Sequence, residues 1–130
     1  GGNTLIFDEL EADGLNPIER NNCNDIFAIR AAYPDRLLFG NVCCMHTLPH
    51  GTLGDVEDET LELIERIGPQ GGLFIGSSSE VHDSVPAENA AHLYRTVHEY
   101  GAYPIDGERI RARRAELRQR GEVKLRSTAP

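Results

Sequence analysis

Two stretches decide the fold: Leu37-Leu38-Phe39-Gly40-Asn41-Val42 and Gly71-Gly72-Leu73-Phe74-Ile75-Gly76. Each is a short, nearly continuous apolar run without an alternating polar face, the pattern of a strand buried on both faces. A third, very short extended run precedes them, Leu15-Asn16-Pro17-Ile18, in which Pro17 biases Asn16 away from the helical region. Helical periodicities fill the intervals. Thr4 to Ala12 places Leu5, Ile6 and Leu10 opposite Asp8, Glu9 and Glu11, and Gly14 is the expected end of that helix. Asn24 is the expected cap of a second helix carrying Ile26, Phe27, Ile29 and Tyr33, which stops at Pro34. Thr52-x-x-Asp55 resembles a capping box, and behind it Val56, Thr60, Leu63, Ile64 and Ile67 recur at helical spacing until Gly68-Pro69. Pro86 opens a further helix with Ala90, Leu93, Tyr94 and Val97 on one stripe, closed by Gly101.

Strands alternating with helices imply an α/β fold, a parallel sheet covered by helices. Three parallel strands are too few to close a barrel. The chain therefore reads either as a small doubly wound domain or as the last part of a (β/α)8 barrel. The start at Gly1-Gly2 and the single methionine at position 45 favour an excision from something longer.

Composition narrows the function. The 130 residues suit one domain, and 21 acidic against 13 basic residues give a net charge of −8, which opposes a nucleic-acid partner. No run is long and apolar enough to span a membrane, and no signal segment opens the chain. Three cysteines, two of them adjacent, form no disulfide framework and point to a reducing, cytoplasmic setting. Charge is uneven: residues 106–126 carry net +4 and the remainder −12. Ile110, Ala112, Ala115 and Leu117 among the arginines there read as a solvated surface helix, rather than a phosphate- or lipid-binding patch.

In parallel α/β folds ligands gather at the C-terminal ends of strands. Three loops lie there. The first is Asn16 to Arg20, where Glu19 is either a ligand contact or a surface pair. The second runs from Asn41 to Gly51 with Cys43, Cys44, His46 and His50. Thiolates and imidazoles suit zinc, yet adjacent cysteines point apart and nothing local completes four ligands, so packed small side chains are the expectation, with Cys43 the one candidate ligand. The third is Gly76 to Asp83. Its hydroxyls at Ser77, Ser78 and Ser79 suit an anion or a polar turn. Ser79 and His82 do not make a hydrolase pair, because Gly-x-Ser-x-Gly is absent, as is a phosphate loop.

Leu15-Asn16-Pro17-Ile18-Glu19 resembles a strand end of the uroporphyrinogen decarboxylase family, which also includes cobalamin-dependent methyltransferases. Gly40-Asn41-Val42 with Gly51-Thr52 and Val56 is similar to that family's penultimate strand, loop and helix. Gly71 to Ile75 and Val85-Pro86-x-Glu88-Asn89 are similar to its last strand and helix. The ordered set covers about residues 2–105. The resemblance implies the C-terminal three βα units of a (β/α)8 TIM barrel over residues 1–105, then a basic helix and tail over 106–130, with the N-terminal barrel half as a missing partner and room for a homodimer of the intact barrel.

It implies, as activity, cofactor-independent decarboxylation of tetrapyrrole acetate side chains in porphyrin biosynthesis, a carbon–carbon lyase reaction. The alternative is a corrinoid-dependent methyltransferase using zinc; a third reading is a non-catalytic α/β binding module. In the first reading Ser79 and Glu19 are the catalytic candidates, and Asn16, Asn41, Cys43, Ser77, Ser78 and His82 the substrate-binding ones. Ser79 stands where decarboxylases of the family place His and zinc methyltransferases place Cys. Cys43 replaces a common acidic residue and could substitute as a ligand. The family's Arg-rich segment, Asp and Tyr, and the His-x-Cys pair of its methyltransferases, correspond to positions upstream of Gly1. The chain alone is therefore expected to be inactive.

Overall fold

The computed structural model describes residues 8–20 and 24–125. Three strands, β1 (Gly14–Ile18), β2 (Leu37–Val42) and β3 (Leu73–Ser77), form one parallel sheet in the order β1-β2-β3. Helix α1 (Ile26–Ala32) connects the first pair. A short helix α2 (Thr47–His50), the long α3 (Leu53–Arg66) and a 3-10 turn at Gly68–Gln70 connect the second. Helices α4 (Ala87–Tyr100) and α5 (Gly107–Gln119) follow β3. The α/β class and the parallel pairing expected from the apolar runs are present.

The pairing of β2 with β3 is regular from Leu38↔Leu73 to Val42↔Ser77. The pairing of β1 with β2 is irregular between Leu15 and Ile18, where Pro17 has no N–H to give to the ladder. Opposite the irregularity stands Gly40 with φ +117°, where an added Cβ would lie 3.0 Å from the Ile18 carbonyl oxygen. Period-2 alternation then sorts the strand residues by face. Leu38 and Val42, with Leu73 and Ile75, pack against Ile26 and Ile29 of α1, Val56, Leu63 and Ile67 of α3, and Leu93 of α4 in one cluster.

The other face differs from expectation. Phe39 and Phe74, on the alternate positions, stack with ring centroids 4.4 Å apart outside that cluster, and Phe74 is 53% exposed. Burial on both faces thus fails here, because every described helix that packs on the sheet contributes to the cluster on the other side. Both outer strands, β1 and β3, have an unpaired edge among the described residues.

Four local expectations change. Of the helix expected over Thr4–Ala12, Thr4–Phe7 lies outside the described residues, Asp8 and Glu9 form a 3-10 turn, and Leu10–Ala12 are not helical. The Arg36 guanidinium takes the carbonyls of Leu10 and Ala12 instead, and Gly14 opens β1 rather than closing a helix. The cap of α1 is Asp25, not Asn24; its carboxylate accepts from Phe27 N at 2.9 Å and Ala28 N at 3.3 Å. Tyr94 leaves the α4 stripe and is 53% exposed, on the side of α4 turned away from its contacts with α2, α3 and β3. By contrast, the Thr52–Asp55 capping box forms as read, with Asp55 N to Thr52 Oγ1 at 3.0 Å and Thr52 N to Asp55 Oδ2 at 2.8 Å.

The fourth change is the largest. Helix α5 is not a solvated helix: Ile110 and Leu117 are buried with Leu61 and Ile64 of α3. Its arginines meet the acidic outer face of α3. Arg114 binds Asp58, Glu65 and Glu62 at 2.8, 2.8 and 3.1 Å, Arg113 binds Glu57, and Arg118 binds Asp58 at 3.0 Å. The positive tail and negative body, read separately in the sequence, neutralise one another across two helices. No helix among the described residues is long and apolar enough to cross a membrane.

A hydrogen-bonded group at the strand ends

At the C-terminal ends of β2 and β3 the backbone turn Cys43-Cys44 is gripped from two sides. From the β3 side, Cys44 N donates to Ser78 Oγ at 3.1 Å, and a ring nitrogen of His82, Nε2, lies 3.0 Å from the Cys44 carbonyl oxygen. Ser78 is itself tied to β2, its N–H donating to the Val42 carbonyl at 2.7 Å. That bond continues the β2–β3 ladder one step past the last paired residues, which is why the polar Ser78 can be buried at 3% exposure.

From the helix side comes Glu59, two turns into α3. One carboxylate oxygen accepts from Cys43 N at 2.8 Å and the other from Thr47 Oγ1 at 2.5 Å. Arg20, just past β1, brings Nε to 3.0 Å from Glu59, Nη1 to 3.5 Å from Glu62, and Nε to 3.5 Å from the Asn41 carbonyl. Burial pushes the Glu59 carboxyl above its ordinary value; the Arg20 charge, the Thr47 hydroxyl and the Cys43 N–H pull it back, and Glu62 adds to the upward push. Asn41 spans to β1 by donating Nδ2 to the Ile18 carbonyl at 2.9 Å. Farther out, buried Asn89 of α4 donates to the carbonyls of Leu48 and Gly51 at 2.8 and 3.0 Å. It thereby ties α4 to the loop that leads into α3.

The residues singled out in the sequence therefore fall into two sets. Asn41, Cys43, Ser78 and His82 come together around the Cys43-Cys44 turn, and the first three are buried beneath the chain's own packing. Ser79 is exposed, and its N–H donates to Ser77 Oγ at 3.4 Å; Asn16 is exposed on edge strand β1, and Glu19 and Ser77 are half-buried. Glu59 escaped the sequence reading, and Arg20 entered it only as the end of the first loop, without this partner. The available signal was an acid standing three residues after Val56 and four before Leu63, a position where the apolar stripe of α3 calls for a hydrophobe.

A zinc ion in a catalytic site takes three protein ligands. The residues here do not supply them: the two cysteines are buried, His46 and His50 are exposed, and among the described residues no three His, Cys, Asp or Glu side chains converge. The geometry offers instead an imidazole, hydroxyls and backbone groups arranged around the end of a parallel sheet.

A family model described as uroporphyrinogen decarboxylase (URO-D) matches residues 1–100. No curated protein and no solved structure matches the chain.

Proposed function

The chain belongs to the uroporphyrinogen decarboxylase family, and from that membership we propose that it serves a cofactor-independent decarboxylase acting on the acetate side chains of a tetrapyrrole. The three βα units are proposed as part of a (β/α)8 barrel, completed by strands that pair with the open edges of β1 and β3 and cover the stacked Phe39 and Phe74. A barrel interior is filled by side chains from its strands, which is the role that face is suited to.

The observation that carries the chemical reading is His82. Half-buried in the loop after β3, it has Nε2 fixed against the Cys44 carbonyl. With Nε2 donating there, Nδ1 is left to accept a proton or, once charged, to donate one. The proposed reaction breaks the bond between the acetate methylene and its carboxyl carbon. Carbon dioxide leaves, and the electron pair passes into the protonated pyrrole before a proton completes the methyl group. His82 is the proposed holder of that proton. Ser79, Glu19, Ser77 and Asn16 are the proposed direct contacts to substrate, and Asn41, Cys43 and Ser78 the floor that sets their positions.

The alternative within the family is methyl transfer from a corrinoid with zinc. The imidazole at the mouth, a group that can hold a proton, is what supports decarboxylation over it. The test is an absorbance titration of the protein, its barrel complete, with uroporphyrin and separately with a corrinoid, followed by product analysis after incubation with the reduced tetrapyrrole. Uroporphyrin binding with loss of carboxyl groups, reduced at least tenfold in His82→Ala, is the expected result. Saturable corrinoid binding with a changed cobalt spectrum would move the assignment to methyl transfer. Binding of neither would leave the non-catalytic module.

A further inference from the structure

We propose that Glu59 is the positioning residue of the strand-end site, and that it works by fixing the backbone of the Cys43-Cys44 turn rather than by balancing the charge of Arg20. The proposal rests on the strand-end mouth being the functional site. Charge balance would need one contact between Glu59 and Arg20. The carboxylate instead has both oxygens engaged by a second set of donors: Cys43 N at 2.8 Å on one and Thr47 Oγ1 at 2.5 Å on the other. Arg20 has other anchors, reaching Glu62 and the Asn41 carbonyl as well.

The placement of this turn matters because of Cys44. That residue is the shared partner of Ser78 and His82, through its N–H and its carbonyl respectively. A displacement of Cys43 therefore carries Cys44 with it and moves both contacts from β3. Glu59 thus sets the position of the imidazole without approaching substrate. It does so from the rigid middle of α3, a fourteen-residue helix held by a capping box at one end and by the α5 arginines along its outer face. A side chain anchored on such an element defines geometry more sharply than one on a loop.

Two variants separate positioning from charge balance. Glu59→Gln keeps a carbonyl oxygen for Cys43 N–H and an amide that can donate to Thr47 Oγ1, but leaves Arg20 short of a counter-charge. The double variant Arg20→Met with Glu59→Met removes the ion pair, along with the Arg20 contacts to Glu62 and the Asn41 carbonyl, and takes the turn's acceptors with it. The readouts are the melting temperature and the rate at which a maleimide labels the buried Cys43 and Cys44, resolved from Cys23 by peptide mass spectrometry.

Labelling is expected to follow the acceptors of the turn and not the ion pair. Glu59→Gln labels close to the parent rate, whatever the change in its melting temperature. The double variant melts close to the parent but labels about tenfold faster or more, the factor set by losing a charge-assisted hydrogen bond. Labelling that simply follows melting temperature in both variants overturns the proposal. So does parent-like labelling of the double variant, which alone decides the matter if Glu59→Gln does not fold. If the double variant does not fold, Thr47→Val takes its place, with faster labelling expected and an unchanged rate overturning the proposal. Uroporphyrin titration of the same proteins is scored separately: a parent that binds no tetrapyrrole counts against the proposed function and leaves the labelling result standing.

Discussion

Asn89 shows what a single side chain does in this molecule. Its buried amide reaches from α4 to two carbonyls ahead of α3, those of Leu48 in α2 and of Gly51 just after it. Asn89→Ala strands both acceptors in a dry site and is expected to cost about 1–3 kcal/mol, read as a lower denaturant midpoint with an unchanged slope. Glu59 contributes at the same scale through its protonation. Burial raises its carboxyl in the folded state, so between the ordinary carboxylate value and that raised value the folded chain binds more protons than the unfolded one. Its contribution to stability is fully present below the ordinary value and is lost as pH rises through the raised one. Denaturation of the parent and of Glu59→Gln from acid to neutral pH should show that difference. A gap between them independent of pH would contradict it.

Elements are held by how residues are shared between them. The α3 capping box serves two purposes, since Asp55 also accepts from Lys124 N at 2.7 Å and Leu125 N at 2.9 Å, and Thr52 Oγ1 donates to the Glu122 carbonyl. Gly54 makes this close approach feasible: an added Cβ would sit 2.4 Å from the Glu122 carbonyl oxygen. Alanine favours a helix over glycine by about 1 kcal/mol, so local propensity alone calls Gly54→Ala stabilising. The clash reverses that sign; the variant is expected to melt lower, with amide exchange at residues 122–125 speeding up first. The arginines of α5 differ among themselves. Arg114 is nearly buried among Asp58, Glu62 and Glu65, so Arg114→Ala leaves three acids facing one another and should cost about 3 kcal/mol. Arg109 pairs with Glu99 at a half-exposed site, and its loss should cost no more than about 1 kcal/mol. Equal losses in a denaturation series would show the depth of the pairs to be irrelevant.

At the scale of the molecule, one sheet face is packed and the other is open. Among the described residues, Phe39 and Phe74 stack on the open side, between two unpaired strand edges. Such a surface pairs with other chains unless something covers it. The 130-residue chain is therefore expected to self-associate with rising concentration. Phe74→Lys should suppress this in sedimentation velocity while leaving the melting temperature nearly unchanged, because Phe74 lies outside the core cluster. Association undiminished in that variant would place the contact elsewhere.

By itself the sequence determined whatever depends on neighbours along the chain. Leu37–Val42 could only be a strand, and Thr52 with Asp55 could only start a helix, because propensity, periodicity and capping act within a few residues. The family was legible for the same reason, as an ordered set of strand ends and helix starts. The site was legible in part. The strand-end rule located Asn41, Cys43, Ser78 and His82, and the packing of Cys43 was expected, but nothing local could show that Asn41 and Ser78 are buried or that one backbone turn joins them. Tertiary structure alone decided that, along with the role of Glu59, an acid inside an apolar stripe whose meaning comes from Arg20, thirty-nine positions away. It also turned the basic tail into a docked helix. Charge complementarity between α5 and α3 is a property of two surfaces brought face to face, and a sequence gives the charges without the facing.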